Sequence, residues 1–168
     1  MTEETIRNRV AESGLICFDP ADLIDLSSIR TFDFKPFLME ESILREKEFR
    51  QQMRLHDWET YRDKNVAVYC SVEAIIPAWA YMLVASSLQP YARMVMAGTE
   101  KQLKEWLFRQ AIDQLHVEEY RHQRVTIKGC SDIPLSAYID LVMKLQPVVA
   151  SLMYGEPCST VPVFKKKK

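Results

Sequence analysis

Hydrophobic and polar positions change rhythm near residue 65. From there, short apolar runs alternate with longer stretches that repeat every three to four residues. "NVAVYC" (65–70), "ARMVMAG" (92–98), "RVTIKGC" (124–130) and "SLMYG" (151–155) read as strands, rich in β-branched and apolar residues and closed by Gly or Cys. Between them, "AIIPAWAYMLVASSL" (74–88), the stretch behind Thr99, and "PLSAYIDLVMKLQ" (134–146) are long enough for helices. Proline is tolerated in a helix's first turn, so Pro77 places the first of these helices' start near Ile76, and Gln89-Pro90 stops it. Thr99 and Gln102 have the spacing of a capping box, and the helix behind them sets Leu103, Trp106, Leu107 and Ala111 on one face. "TVPVF" (160–164) reads as a last edge strand interrupted by Pro162.

The first 54 residues are less regular. Residues 2–13 carry Ile6, Val10 and Ala11 at helical spacing and stop at Gly14. "LICFDP" reads as a short strand ended by Asp19-Pro20, and "TFDFKPFL" alternates Phe32 and Phe34 with Asp33 and Lys35, as a strand with one wet face does. "MEESILREKEFRQQMRLH" predicts a charged surface helix anchored by Ile43, Phe49 and Met53.

Strands that alternate with helices indicate the α/β class, because a helical crossover returns the chain parallel to the strand it left. The expectation is a single α/β domain over residues 1–168, with residues 1–54 as an N-terminal extension. Its sheet is expected to be mainly parallel and open, with helices on both faces.

The same words occur twice in this chain. From Pro77 to Gly98 a second copy lies 57 residues on, with Pro77/Pro134, Ala80/Ala137, Tyr81/Tyr138, Leu88-Gln89-Pro90/Leu145-Gln146-Pro147, Met96/Met153 and Gly98/Gly155 identical. Upstream the offset becomes 59 or 60, and Glu59/Glu118, Tyr61-Arg62/Tyr120-Arg121 and Cys70-Ser71/Cys130-Ser131 match. A shared hydrophobic pattern would exchange Leu for Val or Ile; it would not repeat Cys-Ser, Leu-Gln-Pro and Tyr-Arg in order. The reading is two duplicated βαβ units, at residues 55–98 and 115–155.

Bulk properties narrow the function classes. The chain has 168 residues, 48% hydrophobic and 27% charged, with Lys+Arg 22 against Asp+Glu 23 and a net charge of -1. That balance disfavours a general nucleic-acid binder. No apolar run reaches the roughly 18 residues of a membrane span. The opening residues lack a signal-like apolar core, so a cytoplasmic location with four reduced cysteines is expected. The terminal "KKKK" reads most simply as a solvated end, with a lipid or RNA contact as the lesser reading, and a homo-oligomer or a protein partner is left open.

The candidate chemistry lies with the cysteines. In one parallel sheet, Cys70 and Cys130 would end two strands on the carboxyl edge, and Cys158 follows the Gly155 that ends a third. That edge is where open α/β sheets bind ligands. Ser71, Ser131 and Ser159 each follow one of these cysteines and are the candidate cofactor-binding residues. Ser71 and Ser131 precede helices whose first N–H groups could hold a cofactor or stabilise a thiolate. Three readings compete. Cys70, Cys130 and Cys158 could ligate zinc or an iron–sulfur cluster, in an accessory role in metal handling. They could transfer a thiol or persulfide. They could be small core residues in a non-catalytic scaffold or interaction module. His56, His116 and His122 all precede strands, toward the opposite edge, which disfavours a Cys–His nucleophile pair. Neither G-x-x-x-x-G-K nor G-x-G-x-x-G occurs.

"HDWETYRDKNVAVYCSVEAIIPAWAYMLVASSLQPYA", "VTIKGCSDIP" and "GEPCSTVP" resemble an uncharacterised bacterial family, catalogued as domain of unknown function 2480. The resemblance covers nearly the whole chain and implies a small cytoplasmic protein with no assigned activity. It transfers no catalytic residues.

Overall fold

The computed structural model describes residues 14–40, 42–130 and 132–167. The helix expected over residues 2–13 lies outside them. The protein is α/β, with four α-helices among the described residues and two sheets. Two compact units divide the chain. Asp25–Trp106 form a central unit, and the chain on either side, up to Ile24 and from Leu107 on, forms an outer unit.

The central unit holds β2 (Ile29–Asp33), α1 (Glu46–Leu55), β3 (Asn65–Tyr69), α2 (Ala78–Leu88) and β4 (Met94–Ala97). Its sheet runs β2-β3-β4, all parallel, with Phe32 opposite Val68 and Asp33 opposite Tyr69. Phe49 and Met53 of α1 and Ala80, Val84 and Leu88 of α2 share one core with Phe32, Phe34, Val66 and Val68. The four- and eight-residue spacings put each set on one helix face. Each large side chain so buried contributes about 1.5–3 kcal/mol. Asp57 opens the corner into β3 by accepting the Glu59 N–H, and His56, Trp58 and Tyr61 cluster there.

The outer unit holds β1 (Leu15–Phe18), β5 (Arg124–Ile127), α4 (Leu135–Leu145), β6 (Ser151–Glu156) and β7 (Ser159–Lys165). Its sheet runs β1-β5-β6-β7, parallel except for β7, which returns as a hairpin. Gly155 sits at φ +116°, and a Cβ there would stand 2.6 Å from the Ser159 carbonyl oxygen. α3 (Glu100–Asp113) carries the chain from one unit into the other, the division falling between Trp106 and Leu107.

Four expectations are corrected. The strands foreseen in one sheet lie in two, because α3 leads out of the β2-β3-β4 sheet instead of back onto it. α2 starts at Ala78, with Pro77 as an extended N-cap, since proline's fixed φ fits the entry to the helix as well as its first turn. Ile43 is exposed and pairs with Met39 in an isolated bridge; it anchors no helix. On α3 the buried residues are Leu103, Phe108 and Ile112, while Trp106 is exposed. At about 100° per residue Leu103 and Ile112 fall on opposite sides of the helix, so one continuous stripe does not describe it. The capping box forms as expected: the Thr99 N–H donates to Gln102 Oε1 at 2.8 Å, and the Gln102 N–H to Thr99 Oγ1 at 3.3 Å.

The two similar segments take the same local geometry. Pro77 and Pro134 are extended N-caps, and Gln89 and Gln146 are helical C-caps with φ -52° in both. Asp63 and His122 both take positive φ, near 60°. Their N–H groups donate to equivalent carbonyls, those of Tyr91 and Val148. Arg62 pairs with Glu59 as Arg121 does with Glu118. The equivalence extends upstream of Leu55, to Phe49-Arg50-Gln51 against Phe108-Arg109-Gln110, with both phenylalanines buried.

Candidate functional site

The carboxyl edge of each sheet has the same three parts. An aspartate follows or ends the first strand, a Cys-Ser loop follows the second, and a tyrosine on the next helix stands near that loop. In the central unit the Asp33 carboxylate accepts the Lys35 N–H at 2.9 Å and the Ser71 N–H at 3.0 Å. Burial pushes the Asp33 carboxyl up, but the hydrogen bonds from Ser71 and Lys35 outweigh it and hold it below the ordinary value. In the outer unit Asp19 accepts the Ala21 N–H at 3.0 Å and pairs with Lys128 at 3.1 Å; both lower its pKa. The Tyr138 hydroxyl accepts the Cys130 N–H at 2.9 Å and donates to the Cys130 carbonyl at 3.2 Å. Burial raises the Tyr138 phenol, and it raises Tyr81, with Cys70 nearby adding to the effect.

This arrangement decides what the edges can do. The Ser71 and Cys130 N–H groups, which an anionic ligand would need, are already taken by Asp33 and Tyr138. Each loop is closed by its own acid or phenol.

The predicted site residues belong to two sheets. Cys130 and Cys158 lie at the carboxyl edge of the outer unit's sheet, whereas Cys70 follows a strand of the other sheet, so the common edge is corrected. Among the described residues, no group of three or more His, Cys, Asp or Glu side chains could hold a metal ion. Cys70 and Cys130 are half-buried; Cys17 and Cys158 are exposed. Ser71 stands seven residues before α2 instead of at its start, and the helix N-caps are Pro77 and Pro134, which give no side-chain hydrogen bond. Ser131 lies outside the described residues. Ser159 begins β7, where its carbonyl crowds Gly155.

The family model described as "Protein of unknown function (DUF2480)" matches residues 4–166. The chain belongs to the DUF2480 family. No curated protein and no solved structure matches it. Among the described residues of this DUF2480 protein, no helix is long and apolar enough to cross a membrane.

Asp19 and Asp33 are not among the site residues expected from the sequence. Their signal is a repeated Phe-Asp step at a strand end, Phe18-Asp19 and Phe32-Asp33. Phe18 pairs with Ile127 as Phe32 pairs with Val68, which makes the two aspartates equivalent. They are only 14 residues apart in the sequence, far from the 57 to 60 that separate the other matching residues, so the offset hid them.

Proposed function

We propose that this DUF2480 protein works by binding rather than by chemistry at its cysteines, as an assembly module that pairs with a second copy through the outer face of α4. On this reading the two βαβ units are products of an internal duplication, and one of them carries the interaction face. The support is an internal comparison. Ala80, Val84 and Leu88 of α2 and Ala137, Leu141 and Leu145 of α4, each 57 positions apart, are all buried. Their outward neighbours differ. α2 presents Ala78, Met82 and Ser86; α4 presents Leu135, Ile139 and Met143, exposed at 81%, 64% and 72%. The α2 helix folds with a less apolar outer face, so the α4 stripe is not required for the fold. Exposed Tyr154, Val161 and Val163 add apolar surface on β6 and β7. A contiguous patch of this kind marks an interaction surface.

One feature favours a second copy as the occupant. A stripe at i, i+4 and i+8 is self-complementary: across a twofold axis at Ile139, antiparallel helices set Leu135 against the other copy's Met143. Strand-to-strand pairing is disfavoured, since β7 carries Pro162 and ends in lysines.

A metal or iron–sulfur species at Cys70, Cys130 and Cys158 is the lesser reading, because it rested on a common sheet edge. Sedimentation equilibrium across the micromolar range separates the two. Expected is a monomer–dimer equilibrium that Ile139→Asp abolishes and that survives Cys70→Ser, Cys130→Ser and Cys158→Ser made together. A wild-type chain that stays monomeric throughout would sink the assembly reading. Bound metal in the wild type, lost together with stability in the triple serine variant, would restore the thiolate one.

A further inference from the structure

We infer that a pocket at the amino edge of the outer unit's sheet binds a small organic anion with an apolar body, a medium-chain carboxylate being the simplest member of the class. The pocket stands apart from the carboxyl-edge loops and does not depend on self-pairing. It forms where β5 and β6 begin and β7 ends: Arg124 pairs with Ser151, and Ser151 pairs with Lys165. The Lys166 N–H donates to the Ala150 carbonyl at 3.0 Å and fixes the end of β7 against the start of β6.

The cavity measures about 740 Å³, inside the range of small-molecule sites. Met153, Pro162 and Phe164 give it an apolar floor. Arg124, Lys165, Lys166 and Lys167 give it a basic rim, and among the described residues no carboxylate lines it. None of these four cations is ion-paired among the described residues. Like charges gathered around one opening repel each other, and an anion in the opening relieves that repulsion. The apolar floor then selects for an anion that brings hydrocarbon with it.

Four like charges on a chain of net charge -1 make a local feature that composition conceals. The terminal lysines read as a solvated end because nothing in the linear sequence places Arg124, 41 positions before Lys165, beside them.

Isothermal titration with decanoate, at low and raised salt, tests the inference. Expected is saturable one-to-one binding that weakens with salt and is weakened about tenfold by Arg124→Glu. Decanol and decylamine should bind far less. Ile139→Asp should leave the affinity unchanged, so that failure of the assembly reading and failure of this one remain distinct. Urea melts of Arg124→Glu should match wild type, which separates loss of the site from loss of the fold. Equal binding of decanol would overturn the inference, as an apolar patch alone would then suffice. So would binding lost in Ile139→Asp and kept in Arg124→Glu, or association with anionic-lipid vesicles without any binding of free decanoate.

Discussion

Truncating Ile139 to alanine gives the assembly reading a magnitude. The side chain is 64% exposed, so about two thirds of the roughly 1.5–3 kcal/mol of full burial is still to be gained on pairing. That is about 1–2 kcal/mol per copy, and the symmetric pair loses it twice, about 2–4 kcal/mol in all. At about 1.4 kcal/mol per tenfold, Ile139→Ala should raise the dissociation constant roughly 30- to 700-fold. Folding should be little affected, because the lost methyl groups face solvent in the single chain and alanine is the better helix former. Met82→Ala is the matched control. Met82 occupies the equivalent outward position on α2 at 71% exposure, and its loss should leave self-association unchanged. Sedimentation equilibrium on wild type and both variants, with urea melts alongside, reads both quantities. If Met82→Ala weakens the dimer as much as Ile139→Ala does, the association is diffuse hydrophobic contact, and the argument from comparing α2 with α4 fails.

Three further substitutions probe the fold and its carboxyl edges. Gly155→Ala should cost about 2–5 kcal/mol in a urea melt, from an unfavourable positive φ and a Cβ set 2.6 Å from the Ser159 carbonyl oxygen. Gly14→Ala, at φ +60° with nothing within 4 Å of its Cβ, should cost only about 1–2 kcal/mol; equal costs would refute the close-approach argument. Asp33→Ala removes the acceptor of two backbone donors in an exposed setting and should destabilise by about 1–3 kcal/mol, with Asp33→Asn recovering part of it. The lowered carboxyl makes the Asp33 contribution complete above about pH 4 and lost as pH falls through its folded value; a penalty for Asp33→Ala undiminished at pH 2 would contradict this. Burial lowers His56, against the pull of Asp57, so its neutral form is favoured in the fold. It carries no penalty above about pH 6.5 and a growing one as pH falls through that value. His56→Gln should therefore show a smaller loss of stability than wild type between pH 8 and pH 5, and an identical loss would refute the assignment.

Local chemistry was legible in the sequence where it acts over a few residues. The capping box at Thr99, the helix stops at Leu-Gln-Pro, the strand over Leu15–Phe18 and the proline-broken edge strand all formed, because each rests on contacts among near neighbours. The α/β class followed from the alternation of elements, and the family from three specific stretches. Sheet membership was not legible. β1 pairs with β5, more than a hundred residues later, and the whole central unit lies between them in the sequence. Strand periodicity states which residues face in or out; it does not name the strand on either side, which long-range hydrogen bonding decides. The three cysteines illustrate the difference. Their positions just after strands could be read from the residues, but that Cys70 follows a strand of one sheet and Cys130 and Cys158 follow strands of another came only from the pairing of β1 with β5 and of β2 with β3. The same pairing made Asp19 and Asp33 equivalent, and the return of β7 onto β6 gathered Arg124 and the terminal lysines around one pocket.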